Sequence, residues 1–320
     1  MKSIQALCQN DLASVNQYIS EQLTSDIGLV EDITDYIISA GGKRLRPILV
    51  LLVANAFNIS SKQHIKLAAI IECLHTATLL HDDVVDASTQ RRGKPTANTH
   101  WGNAPSVLVG DFIYSRSFQM LIALDNKQVI SITANATSEI SEGEVQQLMN
   151  AGNVNTTEAD YFSTITRKTA TLFAAASQSA AVLASQGDTM QQAMYDYGIN
   201  LGIAFQLIDD ALDYLGNAEE MGKNIGDDLA EGKMTLPLIY AFNNADSADA
   251  EVIKTCIERK DSSAINDIID VVTRSNGIDY TISSANEYAD KARHNIAPLP
   301  DSDYKKALLR LTEIAVERRS

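Results

Sequence analysis

An acidic signature occurs twice in this 320-residue chain, as Asp82-Asp83-Val84-Val85-Asp86 and as Asp209-Asp210-Ala211-Leu212-Asp213. Each copy sits in apolar, helix-forming sequence: Thr78-Leu79-Leu80-His81 precedes the first, Ala204-Phe205-Gln206-Leu207-Ile208 the second. On a helix, positions i and i+4 put the first and last carboxylates on one face, with the middle one beside them. Like charges that close destabilise a helix unless a cation bridges them. Carboxylate oxygens are hard ligands and suit Mg²⁺, which keeps several waters and takes phosphate oxygens as further ligands. One such cluster is ordinarily a solvated helix face. Two copies embedded in apolar sequence point instead to two helices holding Mg²⁺ against a diphosphate.

Cations of the kind a diphosphate needs lie near these motifs in sequence or at element ends. Gly41-Gly42-Lys43-Arg44-Leu45-Arg46-Pro47 puts them at the mouth of a helix, and Arg91-Arg92-Gly93-Lys94 forms a short loop beyond Asp86. A third set is spread over Arg167-Lys168-Thr169, Lys223 and Lys233. Arginine offers a planar fork to phosphate, lysine a point charge, and a helix N-terminus adds free N–H groups. Any one of these lysines alone is better read as ordinary surface charge. The chain has neither GxGxxG nor GxxxxGK[ST], so the anion is expected to be a diphosphate without a nucleotide.

The elements that must position these groups read as helices. Proline is scarce, six residues, mostly at element ends, and long proline-free stretches rich in Ala, Leu, Ile and Gln favour helix over strand. Helices are expected over about 3–22, up to a break at Gly41-Gly42, over 48–57 after first-turn Pro47, and from about Lys62 through the first motif, capped by Ser60-Ser61. Residues 90–105 and 216–233 read as loops. Between and beyond them helices are expected over 106–123, 128–149, 158–186, 190–214 and most of the remainder. No linker or composition shift divides the chain, so a single all-α domain over residues 1–320 is the expectation.

Composition excludes several classes. The net charge of −15 argues against nucleic acid as a partner, since phosphate backbones need a basic surface. Three widely spaced cysteines, Cys8, Cys73 and Cys256, fit reduced thiols rather than a disulfide frame or zinc site. Met1-Lys2-Ser3-Ile4-Gln5 does not open a signal peptide, and the apolar run 48–54 is too short to span a bilayer. A cytoplasmic protein with at most transient membrane contact is expected.

Taken together, His81-Asp82-Asp83-Val84-Val85-Asp86 with Arg91-Arg92-Gly93, the Gly41–Pro47 segment, and Gly202-Ile203-Ala204-Phe205-Gln206-Leu207-Ile208-Asp209-Asp210 resemble the trans-polyprenyl diphosphate synthases. Gly222-Lys223-Asn224-Ile225-Gly226-Asp227-Asp228-Leu229 and Glu231-Gly232-Lys233-Met234-Thr235-Leu236-Pro237 extend the match, which spans roughly Glu31 to Tyr240. The resemblance is strongest to bacterial members that form octaprenyl chains.

It implies an isoprenoid synthase-type helical bundle around a deep central cavity, as a homodimer, joining isopentenyl diphosphate to an allylic diphosphate head to tail, with farnesyl diphosphate as the expected primer. Mg²⁺ would be held by Asp82 and Asp86 on one side and Asp209 on the other, with Asp83, Asp210 and Asp213 in the catalytic motifs. Arg91, Lys168, Lys223 and Lys233 match positions that neutralise the allylic diphosphate, with Thr169 and Gln206 beside it. Lys43, Arg46, His75 and Arg92 match the pocket for isopentenyl diphosphate. His75 also admits the reading of a hydrogen-bonded core histidine, although it lies seven residues before Asp82, close to the same helix face. Phe112, Phe118 and Phe205 read as core.

Ala77 and Thr78 lie about one turn before Asp82, where a chain anchored at the aspartates would pass. Both are small, so an open tunnel and a long product are expected; helix packing is the alternative reading. The floor is assigned to the helix containing Phe118 and Met120. The resemblance implies eight isoprene units, with seven to ten open, destined for quinone side chains. Rival readings are a class I terpene cyclase, which has no need of Lys43, Arg46 and Arg92, a non-catalytic synthase subunit, and a helical Mg²⁺- or Ca²⁺-binding protein, in which the basic clusters have no purpose.

Overall fold

The computed structural model describes residues 1–215 and 226–317. It is helical as expected, and the described residues form two compact units. Unit 1 comprises Met1–Asn135, Leu172–Gly198 and Asn295–Leu311. Unit 2 comprises Ala136–Thr171, Ile199–His294 and Thr312–Ser320. In chain order the elements are α1 (Lys2–Leu7), α2 (Gln9–Gln22), α3 (Gly28–Ser39), α4 (Leu45–Ala56), α5 (Gln63–Val85), β1 (Gln90–Arg91), β2 (Lys94–Pro95), α6 (Ala97–Trp101), α7 (Asn103–Ala123) and α8 (Lys127–Asn150). Then follow α9 (Glu158–Ile165), a π turn (Thr166–Ala170), α10 (Thr171–Leu183), α11 (Asp188–Leu215), α12 (Asp227–Ala230), α13 (Leu236–Asn244), α14 (Ser247–Arg259), α15 (Ile265–Arg274), α16 (Gly277–Asn295) and α17 (Asp303–Glu317).

Within unit 1, α5 is the central helix and packs against α2, α4, α6 and α7. It is apolar nearly all round: Leu67, Ala68, Ala69, Ile70, Ile71, Cys73, Ala77 and Leu80 are fully buried, the pattern of a core helix. Its neighbour α4 is buried from Pro47 to Ala54. Each buried Leu or Ile contributes about 1.5–3 kcal/mol, whereas a like-charge pair one turn apart costs only about 0.2–0.5 kcal/mol. Packing therefore holds the acidic end of α5 in helix. Unit 2 has its own core, in which Leu207, Ile239, Ile253, Ile257 and Ile268 are among the buried side chains.

The structure corrects several local readings. Cys8 separates α1 from α2. α5 starts at Gln63 with Lys62 at its N-cap and no side-chain cap, so Ser60 and Ser61 do not cap it. The 90–105 segment is not a loop throughout: β1 and β2 pair antiparallel, and α6 follows. The stretch 158–186 is interrupted by the π turn, and α12 lies inside the expected 216–233 loop. Phe112, Phe118 and Phe205 are half-buried rather than core. The cysteines are free and buried, as expected; burial pushes the Cys8 and Cys73 thiols up to about 12. Among the described residues no helix is long and apolar enough to cross a membrane.

Candidate active site

Both acidic motifs occupy the C-terminal ends of long helices. Asp82 and Asp83 are in the last turn of α5, with Asp86 as its C-cap; Asp209, Asp210 and Asp213 lie in the last two turns of α11. This is the negative end of the helix dipole, where carboxylates are disfavoured by about 0.3–1 kcal/mol each and a cation is favoured. In both motifs the middle aspartate is buried, and in the second the last one is buried with it. Asp82 and Asp86 are half-buried, while Asp83 is 1% exposed. Asp83 Oδ1 accepts from Arg91 Nε at 2.8 Å and from Arg91 Nη2 at 2.6 Å. Arg91 thus serves a carboxylate of its own chain.

The β1–β2 hairpin explains that reach. Arg91 pairs with Lys94 across it, and the two-residue turn puts Arg92 at φ 55° and Gly93 at φ 72°, the double positive-φ turn that matches strand twist. Arg92 lays its guanidinium on the backbone of Gly42: a Cβ there would stand 2.7 Å from Arg92 Nη2. The Gly41-Gly42 loop leads to Arg44, at the N-cap of α4 with φ 51°. Arg44 donates to Glu72 at 2.6 Å and to the Ile38 carbonyl at 3.1 Å. Arg46, in the first turn of α4, lies 4.4 Å over the Phe173 ring and donates through Nη1 to His75 Nε2 at 3.1 Å.

His75 is therefore neither simply core nor simply exposed. Burial first, then the positive fields of Arg46, Arg92, Arg91 and Arg44, hold its imidazole well below the ordinary histidine value, so it is a neutral acceptor at physiological pH. Arg46 thus bonds a neutral ring near a helix N-terminus, and the fields of three further arginines reach it, an environment suited to an anion. Lys43 is exposed on the loop that leads into it. One turn ahead of Asp82, Ala77 is fully buried, and Thr78 is half-buried with its hydroxyl donating to the His75 carbonyl at 2.9 Å. Met120 is buried, and half-buried Phe118 packs on Tyr114, all on α7.

In unit 2 Asp210 of the second motif is held by uncharged donors. Asp210 Oδ2 accepts from the Tyr161 hydroxyl at 2.5 Å, and Oδ1 from Gln206 Nε2 at 2.7 Å. Gln206 Oε1 in turn accepts from Thr169 Oγ1 at 2.9 Å. Burial, with the Asp228 carboxylate adding to it, pushes the Asp210 carboxyl up to about 8 against the pull of the Tyr161 and Gln206 hydrogen bonds. Asp209 is half-buried and Asp213 buried. Lys168 donates to Glu144 at 2.8 Å, and Lys233 pairs with Glu231. Lys223 lies outside the described residues.

The structure thus gathers Arg46, His75, Arg91 and Arg92, with the first aspartates, in unit 1, and Thr169, Gln206 and Asp210 in one unit 2 network. Sequence reasoning missed Glu72, Tyr161 and Glu144, and gave Arg44 and Asp228, both within its motifs, no role of their own. Tyr161 had a signal: a buried tyrosine hydroxyl needs a partner, and the Thr157–Asp160 capping box marks its helix start. The partners of Arg44 and Asp228 are remote in sequence and carry none. Among the described residues no three His, Cys, Asp or Glu side chains converge as a closed metal-ligand group. A cation at either motif would draw on one or two carboxylates there and complete its shell with outside oxygens, a donor set that fits Mg²⁺.

The sequence pattern of the polyprenyl synthetase family matches residues 28–274. Octaprenyl diphosphate synthase of Haemophilus influenzae is 46% identical over 316 residues, covering 98% of this chain and 96% of that protein. The all-trans-nonaprenyl-diphosphate synthase (geranyl-diphosphate specific) of Rhodobacter capsulatus is 43% identical over 318 residues, covering 99% and 98%. The crystal structure of a polyprenyl synthase from Caulobacter crescentus, complexed with calcium and isoprenyl diphosphate, aligns with a TM-score of 0.96 at 43% identity, over 99% of this chain and 97% of that one.

Proposed function

The chain belongs to the polyprenyl synthetase family, and we propose that residues 1–320 act as one long-chain trans-prenyl diphosphate synthase domain, extending farnesyl diphosphate with isopentenyl diphosphate to octaprenyl diphosphate for quinone side chains. The observation that carries this is the charge division inside unit 1. Carboxylates at the negative end of α5 call for a cation, and arginines at the positive end of α4 call for an anion without one. A reaction with two diphosphate substrates, one metal-bridged and one not, needs both. A terpene cyclase has one diphosphate and no use for the arginine pocket, and a purely cation-binding protein has none either.

Asp82 and Asp86 in unit 1, and Asp209 in unit 2, would hold Mg²⁺ ions, with allylic diphosphate oxygens as further ligands. The calcium and isoprenyl diphosphate bound to the Caulobacter protein support a divalent cation beside a diphosphate. When bound, Mg²⁺ supplies Lewis-acid stabilisation of charge on the departing diphosphate. Lys168, Lys223 and Lys233 would add cationic groups, and Thr169 and Gln206 polar ones, for the leaving diphosphate. A preorganised charge is worth about 4 kcal/mol per pair at 4 Å and an effective dielectric near 20. Asp83 and Asp210, turned inward, orient rather than ligate: Asp83 holds Arg91, and Asp210 holds Gln206.

Lys43, Arg46 and Arg92 bind the isopentenyl diphosphate, and neutral His75 accepts from Arg46 to fix its direction. The isopentenyl double bond attacks the allylic carbon as the carbon–oxygen bond breaks. A proton then leaves to give the new trans double bond, and the released diphosphate is its acceptor. Apolar side chains exclude water from the cationic carbon. The protein works as a cytoplasmic homodimer; exposed Leu108 and Ile122 on α7 are apolar positions such an interface would cover.

The test is product analysis. Purified protein receives farnesyl or geranyl diphosphate, labelled isopentenyl diphosphate and Mg²⁺, and the dephosphorylated products are sized. A ladder ending at eight units is expected; another end point corrects the length alone, and no incorporation ends the reading. Thr78→Phe is expected to shorten the ladder. Ala77 is fully buried, so Ala77→Tyr would mix a tunnel effect with overpacking.

A further inference from the structure

Lys168 sits in a π turn, and α8 approaches that turn at three consecutive residues. Thr166–Ala170 forms the turn, closed by the Thr171 N–H on the Thr166 carbonyl, a spacing that adds one residue to the helix and recurs at functional sites. Glu142 pairs with Arg167, and Glu144 accepts from Lys168 at 2.8 Å. Between them Gly143 lies against the turn itself: a Cβ there would stand 2.8 Å from both Arg167 Cβ and the Lys168 backbone nitrogen. One turn earlier on α8, Glu139 accepts from the Thr171 hydroxyl at 3.1 Å. The Glu142 and Arg167 side chains are 61% and 42% exposed, and pairs that exposed contribute little to stability. The geometry serves aim rather than stability.

We propose that Glu142-Gly143-Glu144 is a clamp of positioning residues that fixes the π turn and, through it, the direction of the Lys168 ammonium. This rests on the reading above of Lys168 as a cation for the leaving diphosphate. Gly143 sets the backbone distance, and Glu144 sets the side chain.

The test is a double-mutant cycle with Lys168→Ala, read in kcat, in the two KM values, and in calorimetric binding of a non-reactive thio analogue of farnesyl diphosphate with Mg²⁺. Gly143→Ala must displace the turn; a misplacement near 1 Å can cost about 100-fold, and a loss of that order in kcat is expected, with KM for isopentenyl diphosphate unchanged. Glu144→Gln keeps the packing and is expected to lose about tenfold, with weaker analogue binding. In the Lys168→Ala background neither change should cost anything further. Losses that multiply with Lys168→Ala, or variants with wild-type kcat and analogue binding, would overturn the clamp. If Gly143→Ala does not fold, the Glu144→Gln cycle decides alone. Wild-type protein that neither condenses the substrates nor binds the analogue overturns the synthase reading instead, and the clamp falls with it.

Discussion

At the end of α5 the inward aspartate, Asp83, meets a guanidinium, whereas at the end of α11 its counterpart, Asp210, meets a phenol and an amide among the described residues. The two motifs have the same spacing and the same place on their helices, and in both the middle carboxylate faces the protein. What differs is the charge of the partner. An arginine supports the ionised carboxylate directly. Neutral donors support it less, and burial with Asp228 nearby then lifts Asp210 far above the usual carboxylate range. The same contrast runs through the surroundings: unit 1 crowds cations around a neutral imidazole, and unit 2 crowds carboxylates beneath a tyrosine. The same aspartate spacing therefore stands in two surroundings of opposite electrostatic character.

That contrast predicts opposite pH dependences, measured in metal-free buffer. Asp210 has a folded value of about 8 against an ordinary 3.8. A raised carboxyl contributes stability that is fully present below the unfolded value and lost as pH rises through the folded one. Between those values stability should fall by up to about 1.4 kcal/mol per pH unit. Denaturant midpoints should decline across that window in the wild type and less steeply in Asp210→Asn; equal slopes would break the comparison. Next in size, Asp83→Ala leaves the Arg91 guanidinium without its carboxylate. It should cost about 3 kcal/mol by urea unfolding, as expected when one partner of a buried pair is removed.

His75 gives the opposite sign. Its folded value lies below the ordinary histidine value of about 6.5, so below that pH the unfolded chain binds a proton that the folded chain refuses. Stability should be lost as pH falls below about 6.5, and His75→Gln should flatten that acid limb; an unchanged limb would show the arginine field to be ineffective. The smallest effect is Tyr161→Phe, which removes one hydrogen bond worth about 1 kcal/mol. Because that bond holds Asp210 down, the variant should also move the alkaline loss of stability to higher pH.

Much of the site was legible in residue types. The two acidic motifs, the Gly41–Pro47 and Arg91–Lys94 clusters and the helical character of the chain follow from composition and i, i+4 spacing, because these are local properties. The hairpin and the π turn were not. Arg92 is not a residue that announces a positive φ, and Thr166–Ala170 has the composition of ordinary helix. The expected Ser60-Ser61 cap failed because α5 is held by packing on four neighbouring helices and does not depend on a side-chain cap.

The sequence by itself determined that carboxylates would recur at one-turn spacing on apolar helices and that cations would stand near element ends. Only the tertiary structure decided which aspartates of each motif are buried and what they meet there. Helical periodicity assigns a buried face only when one side is polar, and α5 is apolar nearly all round. The partners these carboxyls meet, Arg91 for Asp83 and Tyr161 for Asp210, stand 8 and 49 residues away. Distances of that kind are set by packing.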